Sequence, residues 1–542
     1  LYIMSANKTA LKSDTPERTL EERSQGNSIA SDEKLNNTTN SSSADEYSKA
    51  TPSELPKDDT SGVLALSDEE KDKEIGKMAT EMGINHKKLM MKIDFYVVPP
   101  FILLYFLAFL DRVNISNAKV YGMEDDLGLH GNQFNTALTI FFVPYVFFEV
   151  LSNYLMKIIS PHIWLGTMIF LFGIAGMCQA FVKSYGGLIA CRFFLGVFES
   201  GSFPALFYIL SSYYCKRESQ KRFSFFFSCT CLAGGCAGAI AFRIHDLNGA
   251  RGYASWQWIF LIEGAITAFL AIFLFFAIAD FPEQARFLND NERKFLKRKL
   301  EYDAGKSAFE VDMNWRDILG FYKLPQAYLT ALCYFALVIP SYGYAYFAPT
   351  IIKYLGYTSW SANKYSIYPW ILAWGLTCVL SIASDKARIR LPFALFSCIM
   401  AIVGFAMVMA SKDYKVKYAG CFLAVTGLYS AMPAVVCLFS LNFAGHRNKS
   451  VGTSTIVGFG NIGGIISPWL FPNTDAPDYH TGMVVSIFFV ALSFVVTCAY
   501  TVYTARLNKI KKTPAYRERW ALKDERAKLI AGDLNPDFKY MY

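Results

Sequence analysis

Four residues of this chain carry charge where charge is costly. Asp111 and Arg112 stand in the run Phe109-Leu110-Asp111-Arg112-Val113-Asn114-Ile115, and Arg192 and Glu199 bound the run Arg192-Phe193-Phe194-Leu195-Gly196-Val197-Phe198-Glu199. Ionisable groups in so apolar a setting are expensive to desolvate, and they mark sites that handle ions or polar substrates. A guanidinium stays charged and can hold a carboxylate through two parallel hydrogen bonds. A carboxyl group is pulled two ways: desolvation favours its neutral form and a nearby arginine favours its charged form. That competition suits a group that takes up and releases a proton. The residue types therefore point to anion binding beside proton exchange. The alternative is a set of fixed ion pairs that hold helices together.

Spacing constrains how the four can meet. Arg192 and Glu199 are seven residues apart, so on a helix they share a face and lie about 10.5 Å apart along its axis. Asp111 and Arg112 are adjacent and point in different directions. One arrangement brings Asp111 towards Arg192 and leaves Arg112 facing a central cavity. Glu149 and Glu263 also lie in apolar context, where gating or structural pairing is expected rather than substrate contact. Arg243 and His245 are expected to be interfacial. Tyr342, Tyr344 and Tyr346 alternate along one apolar run and cannot all share a helix face, so one or two are expected to meet substrate, with Tyr342 and Tyr346 as the candidates. Asn461, within Gly460-Asn461-Ile462-Gly463-Gly464, places a polar amide where backbones can approach closely and is a further candidate ligand.

The elements that position these residues are membrane spans. Of 542 residues, 53% are hydrophobic and 18% are charged, against ~45–50% and ~25% in ordinary soluble proteins. Residues 1–94 contain no Phe and no Trp, so all 46 Phe fall from Phe95 onward. The polar segment before Phe95 cannot bury enough apolar surface to offset chain entropy, and it is expected to be disordered. No apolar core of signal-peptide length precedes Phe95. The first span is therefore expected to act as an uncleaved signal anchor, with Met4 as the expected start. A spanning helix needs ~20 mainly apolar residues. Twelve such runs are expected, at 95–113, 134–156, 162–181, 186–213, 223–242, 256–279, 325–352, 365–384, 391–411, 417–442, 453–471 and 481–505. Breaks at Pro144, Pro204, Pro340, Pro349, Pro369, Pro433 and Pro468 are tolerated when neighbouring helices satisfy the freed backbone groups.

A charged stretch containing Glu292 to Lys299 separates the sixth run from the seventh and is expected to form an amphipathic helix. The organisation follows: a disordered cytoplasmic tail 1–90, a six-helix half 91–279, a cytoplasmic linker 280–324, a second six-helix half 325–507 and a cytoplasmic tail 508–542. The halves echo one another. Pro204 precedes the basic segment Lys216 to Arg222 and a Gly-rich helix, and Pro433 precedes His446 to Lys449 and another Gly-rich helix. Weak internal symmetry of this kind is typical of repeat-built secondary transporters. Short-loop basic residues are nearly balanced between the two sides. The linker and the flanks (Lys87, Lys88, Lys92, Arg506, Lys509, Lys511, Lys512) tip the orientation, so both termini are expected in the cytoplasm. Glycosylation at the sequons of Asn36, Asn37 or Asn40 would reverse that reading.

Other classes carry less weight. The net charge of +8 sits at the ends of apolar runs, as membrane topology requires, so no nucleic-acid partner is expected. The twelve cysteines, from Cys178 to Cys498, lie in or beside apolar runs, and Cys229, Cys231 and Cys236 have no His or carboxylate with them. No metal site and no cofactor is expected, and no nucleophile–base arrangement suggests an enzyme. A nutrient receptor that binds without transporting is the alternative to a transporter, since the N-terminal tail is moderately long.

The motif Leu110-Asp111-Arg112-Val113-Asn114-Ile115, the segment Arg192 to Pro204, Trp256-Gln257-Trp258-Ile259-Phe260-Leu261-Ile262-Glu263-Gly264 and Asn442-Phe443-Ala444-Gly445-His446 resemble the anion:cation symporter branch of the major facilitator superfamily. Within it the chain is similar to the fungal allantoate permease group, and Asp111 to Thr139 and Asn535 to Tyr542 most resemble the nicotinic acid members. The resemblance covers residues 90–542. It implies an all-α membrane protein of twelve helices in two six-helix halves, working by alternating access, with proton-coupled uptake of a small organic anion across the plasma membrane by a monomer. It implies that Arg112 binds the substrate carboxylate, that Asp111 and Glu199 couple protons, that Arg192 is their charge partner and that Asn461 is a possible ligand. The superfamily's loop between spans two and three is degenerate here, as Asn153-Tyr154-Leu155-Met156-Lys157. Asp385-Lys386-Ala387-Arg388 in the second half keeps more of it, which makes Asp385 and Arg388 gating candidates.

Overall fold

In this computed structural model the described residues are 68–304, 321–322, 324–387, 389–443, 446–521, 536 and 538–541, and among them there are helices and turns but no strand. The first half contains α1 (His86–Val120), α2 (Gln133–Ile159), α3 (Pro161–Cys178), α4 (Tyr185–Glu199), α5 (Ser202–Tyr213), α6 (Lys216–Ile244) and α7 (Ser255–Ala277). The second contains α8 (Pro325–Tyr354), α9 (Ser359–Ala387), α10 (Leu391–Ala410), α11 (Tyr414–Asn442), α12 (His446–Ile466) and α13 (His480–Lys511). Nine of these, α1, α3, α6 to α11 and α13, are long and apolar enough to cross a bilayer. The remaining three expected spans are α2, the pair α4–α5, and α12 with the turn Ser467–Leu470 that follows it.

The fourth span differs from expectation. Residues 186–213 are two helices rather than one, broken at Ser200 and Gly201. At the break the chain runs hard against α2: a Cβ on Gly201 would lie 2.7 Å from the Cβ of Ser152, whose hydroxyl already accepts a hydrogen bond from Trp164 Nε1 at 2.8 Å. The chain passes this close to α2 only without a side chain.

Burial is inverted relative to a soluble protein. On α7 the outward residues Phe269, Ile272, Phe273 and Phe276 are exposed, while Glu263, Gly264, Thr267 and Ala271 face inward and are buried. A bilayer is the solvent that accepts the first stripe. With lipid outside, helices gain little from hiding apolar surface and instead pack through small residues. The α10–α11 seam shows how close that packing is: a Cβ on Gly404 would fall 2.7 Å from Ala424 Cα, and one on Gly427 would fall 2.6 Å from the Ser397 carbonyl oxygen. Between the halves, α1 packs on α8, α2 on α12, and α6 on α9 and α11.

Two polar attachments frame the bundle. The linker helix Asp290–Ala304 is tied on by Lys92–Glu292 at 2.7 Å and by Lys299, which reaches both Glu218 oxygens at 2.8 Å. Beside it, Arg222 of α6 donates to both carboxylate oxygens of Asp94 at 2.5 and 2.7 Å and lies over the Tyr214 ring. We call this side of the bundle the linker face and the other the loop face. Within the tail expected to be disordered, Asp68–Glu81 is a helix whose Ile75 and Ala79, four residues apart, are buried; one apolar stripe in a charged sequence was enough to dock it. The second attachment is a strap. Residues 538–541 lie across α11 and α13: Asn442 exchanges two backbone hydrogen bonds with Met541 (2.7 and 3.0 Å), Asn508 exchanges two with Tyr540 (both 3.0 Å), and Lys511 donates to the Phe538 carbonyl at 2.9 Å.

Gly404→Val should force the α10–α11 backbones apart, at the upper end of, or beyond, the about 1–3 kcal/mol typical of overpacking, read as a lower melting temperature and folded yield in detergent. The double variant Asn442→Ala, Asn508→Ala should release the strap, each lost amide costing about 1–3 kcal/mol, and carboxypeptidase should then remove residues 538–541 faster than from the unaltered protein.

Candidate functional site

The site begins with α1. Asn85 caps it, accepting from the Lys88 amide at 3.1 Å, and every residue from Leu107 to Ala118 is buried. A helix enclosed on all sides has no lipid face, so Asp111 and Arg112 are both interior although they point in different directions.

Arg112, 3% exposed, turns to the interface between the halves. Its Nη2 donates to Glu199 and its Nη1 donates to the Tyr342 hydroxyl. The rings of Phe141, Phe142, Tyr145 and Tyr342 surround the guanidinium, with centroids 5.1, 5.8, 5.6 and 5.3 Å from Cζ. Such rings attract the cation and exclude water. Tyr346, one turn from Tyr342, stacks on it at 5.9 Å. Tyr344 faces elsewhere, against Trp370 at 5.8 Å, as the alternation demanded. Residues from α1, α2, α4 and α8 thus meet on one guanidinium, and the helix break just after Glu199 sets where its carboxylate comes to rest.

Asp111 faces α7. It accepts from Thr267 Oγ1 at 3.2 Å, and Asn114 Nδ2 lies 3.5 Å from its other oxygen. Arg192, 1% exposed, lies over the Phe260 ring with Cζ 5.9 Å from the centroid, and its Nε and Nη2 have no hydrogen-bond partner among the described residues. It is within electrostatic reach of Asp111 without a hydrogen bond to it. Asp111 and Arg192 thus lie on the same side of α1, at the α7 side, while Arg112 turns the other way, where Glu199, two turns from Arg192 on α4, meets it. The seven-residue separation placed the two groups at different depths, where different helices face them.

Glu149 of α2 accepts from Asn461 Nδ2 of α12 at 3.2 Å. Asn461, a candidate substrate ligand, is thus held by a gating candidate from the other half. Glu263 is buried on α7, and neither carboxylate oxygen has a hydrogen-bond partner among the described residues. Asp385 ends up in α9, but its side chain is outside the described set, and Arg388 lies outside the described residues. Phe141, Phe142, Tyr145 and Thr267 were not legible beforehand. An aromatic in an apolar run looks like packing, and one hydroxyl four residues after Glu263 carries no signal until α1 is seen beside it.

The pattern of the Major Facilitator Superfamily matches residues 101–468. Relatives include the high-affinity nicotinic acid transporter of Saccharomyces cerevisiae, 30% identical over 463 residues, covering 84% of this chain and 85% of that protein. An uncharacterized transporter of Schizosaccharomyces pombe is 30% identical over 440 residues, covering 81% and 90%. Among solved structures, a bacterial homolog of the human lysosomal transporter Spinster overlays with a TM-score of 0.58 at 15% identity, covering 75% of this chain and 97% of that one. The proton:xylose symporter XylE overlays with a TM-score of 0.58 at 13% identity, covering 74% and 95%. Two helical halves, a buried charge site between them and these likenesses agree: the chain is a multi-pass membrane transporter and belongs to the Major Facilitator Superfamily.

Proposed function

We propose that this transporter takes up a small organic anion together with protons, with nicotinate as the substrate favoured by its similarity to the yeast nicotinic acid transporter. The observation that carries this reading is the Arg112–Glu199 contact. A guanidinium carries five N–H donors, and here Nη1 is engaged by a tyrosine hydroxyl and Nη2 by a protein carboxylate, while Nε has no hydrogen-bond partner among the described residues. A substrate carboxylate that takes two parallel bonds must use at least one of the two engaged nitrogens and so competes with Glu199 or Tyr342. Protonation of Glu199 removes its charge and frees the fork, and the arriving anion restores neutrality around Arg112. Anion and proton then enter as a unit. The low-dielectric surroundings strengthen the exchange, because opposite charges attract more strongly there than in water.

Tyr342 and Tyr346 close over the anion from the second half. Asp111 is the second proton-coupling group, and Arg192 is the positive charge that balances it. The Glu149–Asn461 bond joins α2 to α12 and must break when the halves rock apart, which makes it a gate. The transporter is taken to work as a monomer, each chain carrying its own site. The basic residues of the linker face, among them Lys87, Lys88 and Lys92, favour a cytoplasmic position for that face, as expected of a plasma-membrane importer.

Arg112→Ala should abolish uptake of radiolabelled nicotinate while surface expression persists. Truncating one partner of a buried charge pair costs about 2–5 kcal/mol, a loss of roughly 30-fold to a few thousand-fold in affinity at about 1.4 kcal/mol per tenfold; normal uptake would overturn the anion grip. Glu199→Gln should flatten the pH profile, so that uptake no longer rises with acidity although exchange of labelled for unlabelled nicotinate continues. Retained proton-driven accumulation would remove Glu199 from the coupling.

A further inference from the structure

We propose that Glu263 is a further proton-carrying residue, protonated in this state and able to exchange its proton with Asp111. The inference deepens the reading of the site as proton-coupled and rests on it.

Glu263 is 1% exposed, and no described group donates a hydrogen bond to either of its carboxylate oxygens. An isolated ionised carboxylate in such a place is too costly to exist and takes a proton instead. The geometry next to it says where that proton can go. Thr267, four residues on and therefore on the same helix face, donates to Asp111 at 3.2 Å. A Cβ placed on Gly176 of α3 would lie 3.5 Å from Gly264 Cα and 3.9 Å from Asp111 Oδ2. Asp111 Oδ2 and Gly264 Cα, next in the chain to Glu263, thus both lie within 4 Å of one point on α3, where Gly176 carries no side chain.

The groups around Glu263 leave Asp111 as its exchange partner. From α1 the facing group is Asp111, since Arg112 turns away to Glu199 and Lys119 pairs with Glu124 near the loop face. From α6 it is Cys236, within electrostatic reach. From α3 the titratable residues are Cys178, which is exposed, and His162, which is held by Asp280 at 2.7 Å at the linker face. The turn Gln179–Phe181 contributes none, and the turn His245–Leu247 contributes His245 and Asp246, both exposed at the loop face. Among the described residues no cation pairs with Glu263. In the exchange the Glu263 O–H bond breaks and an Asp111 O–H bond forms, so the negative charge moves from Asp111 to Glu263. Arg192, beside Phe260 one turn back along α7, is the positive charge on this side of α1. The arrangement offers Asp111 a proton route along α7 that avoids the substrate-binding fork of Arg112.

Infrared spectroscopy of the full-length protein in lipid tests this without any substrate. A protonated buried carboxyl gives a carbonyl stretching band separate from that of carboxylates. Glu263→Gln should delete one such band at neutral pH, and it should alter the band that appears when a pH jump protonates Asp111. Glu263→Asp, which keeps the carboxyl and shortens its reach, should shift the same band rather than delete it, and serves if the glutamine variant folds poorly. A carboxyl region unchanged from the parent in Glu263→Gln would overturn the inference. Deletion of the band without any change in the Asp111 signal would overturn the exchange. Failure of the proton-coupled reading would instead be seen as nicotinate uptake that ignores pH, with the Glu263 band intact.

Discussion

Much of this structure depends on one pair, the Arg112 guanidinium and the Glu199 carboxylate. A cation enclosed by four aromatic rings needs a counter-anion, because a lone buried charge is far costlier than a paired one. The pair fixes the depth of Glu199, the last residue of α4, and two residues on Gly201 lets the chain press against Ser152. It also dictates that α1 be enclosed all round, so that neither of two adjacent charges meets lipid. The close seams at Gly404, Gly420 and Gly427 and at Gly173 and Gly264 hold the surrounding helices to the tolerances such a site requires.

The pair also explains why the tyrosines of α8 matter more than their apolar neighbours. Tyr342 reaches across from the second half to the same guanidinium that Glu199 holds from the first. A change in the charge of Glu199 is consequently felt at a contact between the halves. Under the proposed function, occupancy of the site and the relative position of the halves would be linked through the one Arg112 side chain, as a two-state mechanism needs from its ligand: different contacts in the two states.

The fold was legible because spans, linker and tail differ in composition, and composition survives without knowledge of packing. The four charged site residues were legible for the same reason, as exceptions within apolar runs. Their partners were not. Seven-residue spacing put Arg192 and Glu199 on one face of α4, but which helix lies opposite each depends on depth, and depth follows from the break at Gly201. Asn461 looked like a ligand because a lone amide among glycines is conspicuous; that Glu149 of another half would meet it is a tertiary fact. The helix Asp68–Glu81 and the strap at 538–541 were hidden by their short length and charged surroundings, since two or three anchoring side chains leave no periodic trace.

The strap has a consequence for how the molecule is made. Asn442 ends α11 and Asn508 lies in the last turn of α13, yet the backbone that satisfies both amides is synthesised only after every helix of the bundle. Until then two amides and the Lys511 ammonium at neighbouring helix ends lack these partners, and afterwards Asn442 and Lys511 are buried. The strap thus makes polar groups at the ends of two helices depend on a segment far along the chain from one of them, nearly a hundred residues beyond Asn442.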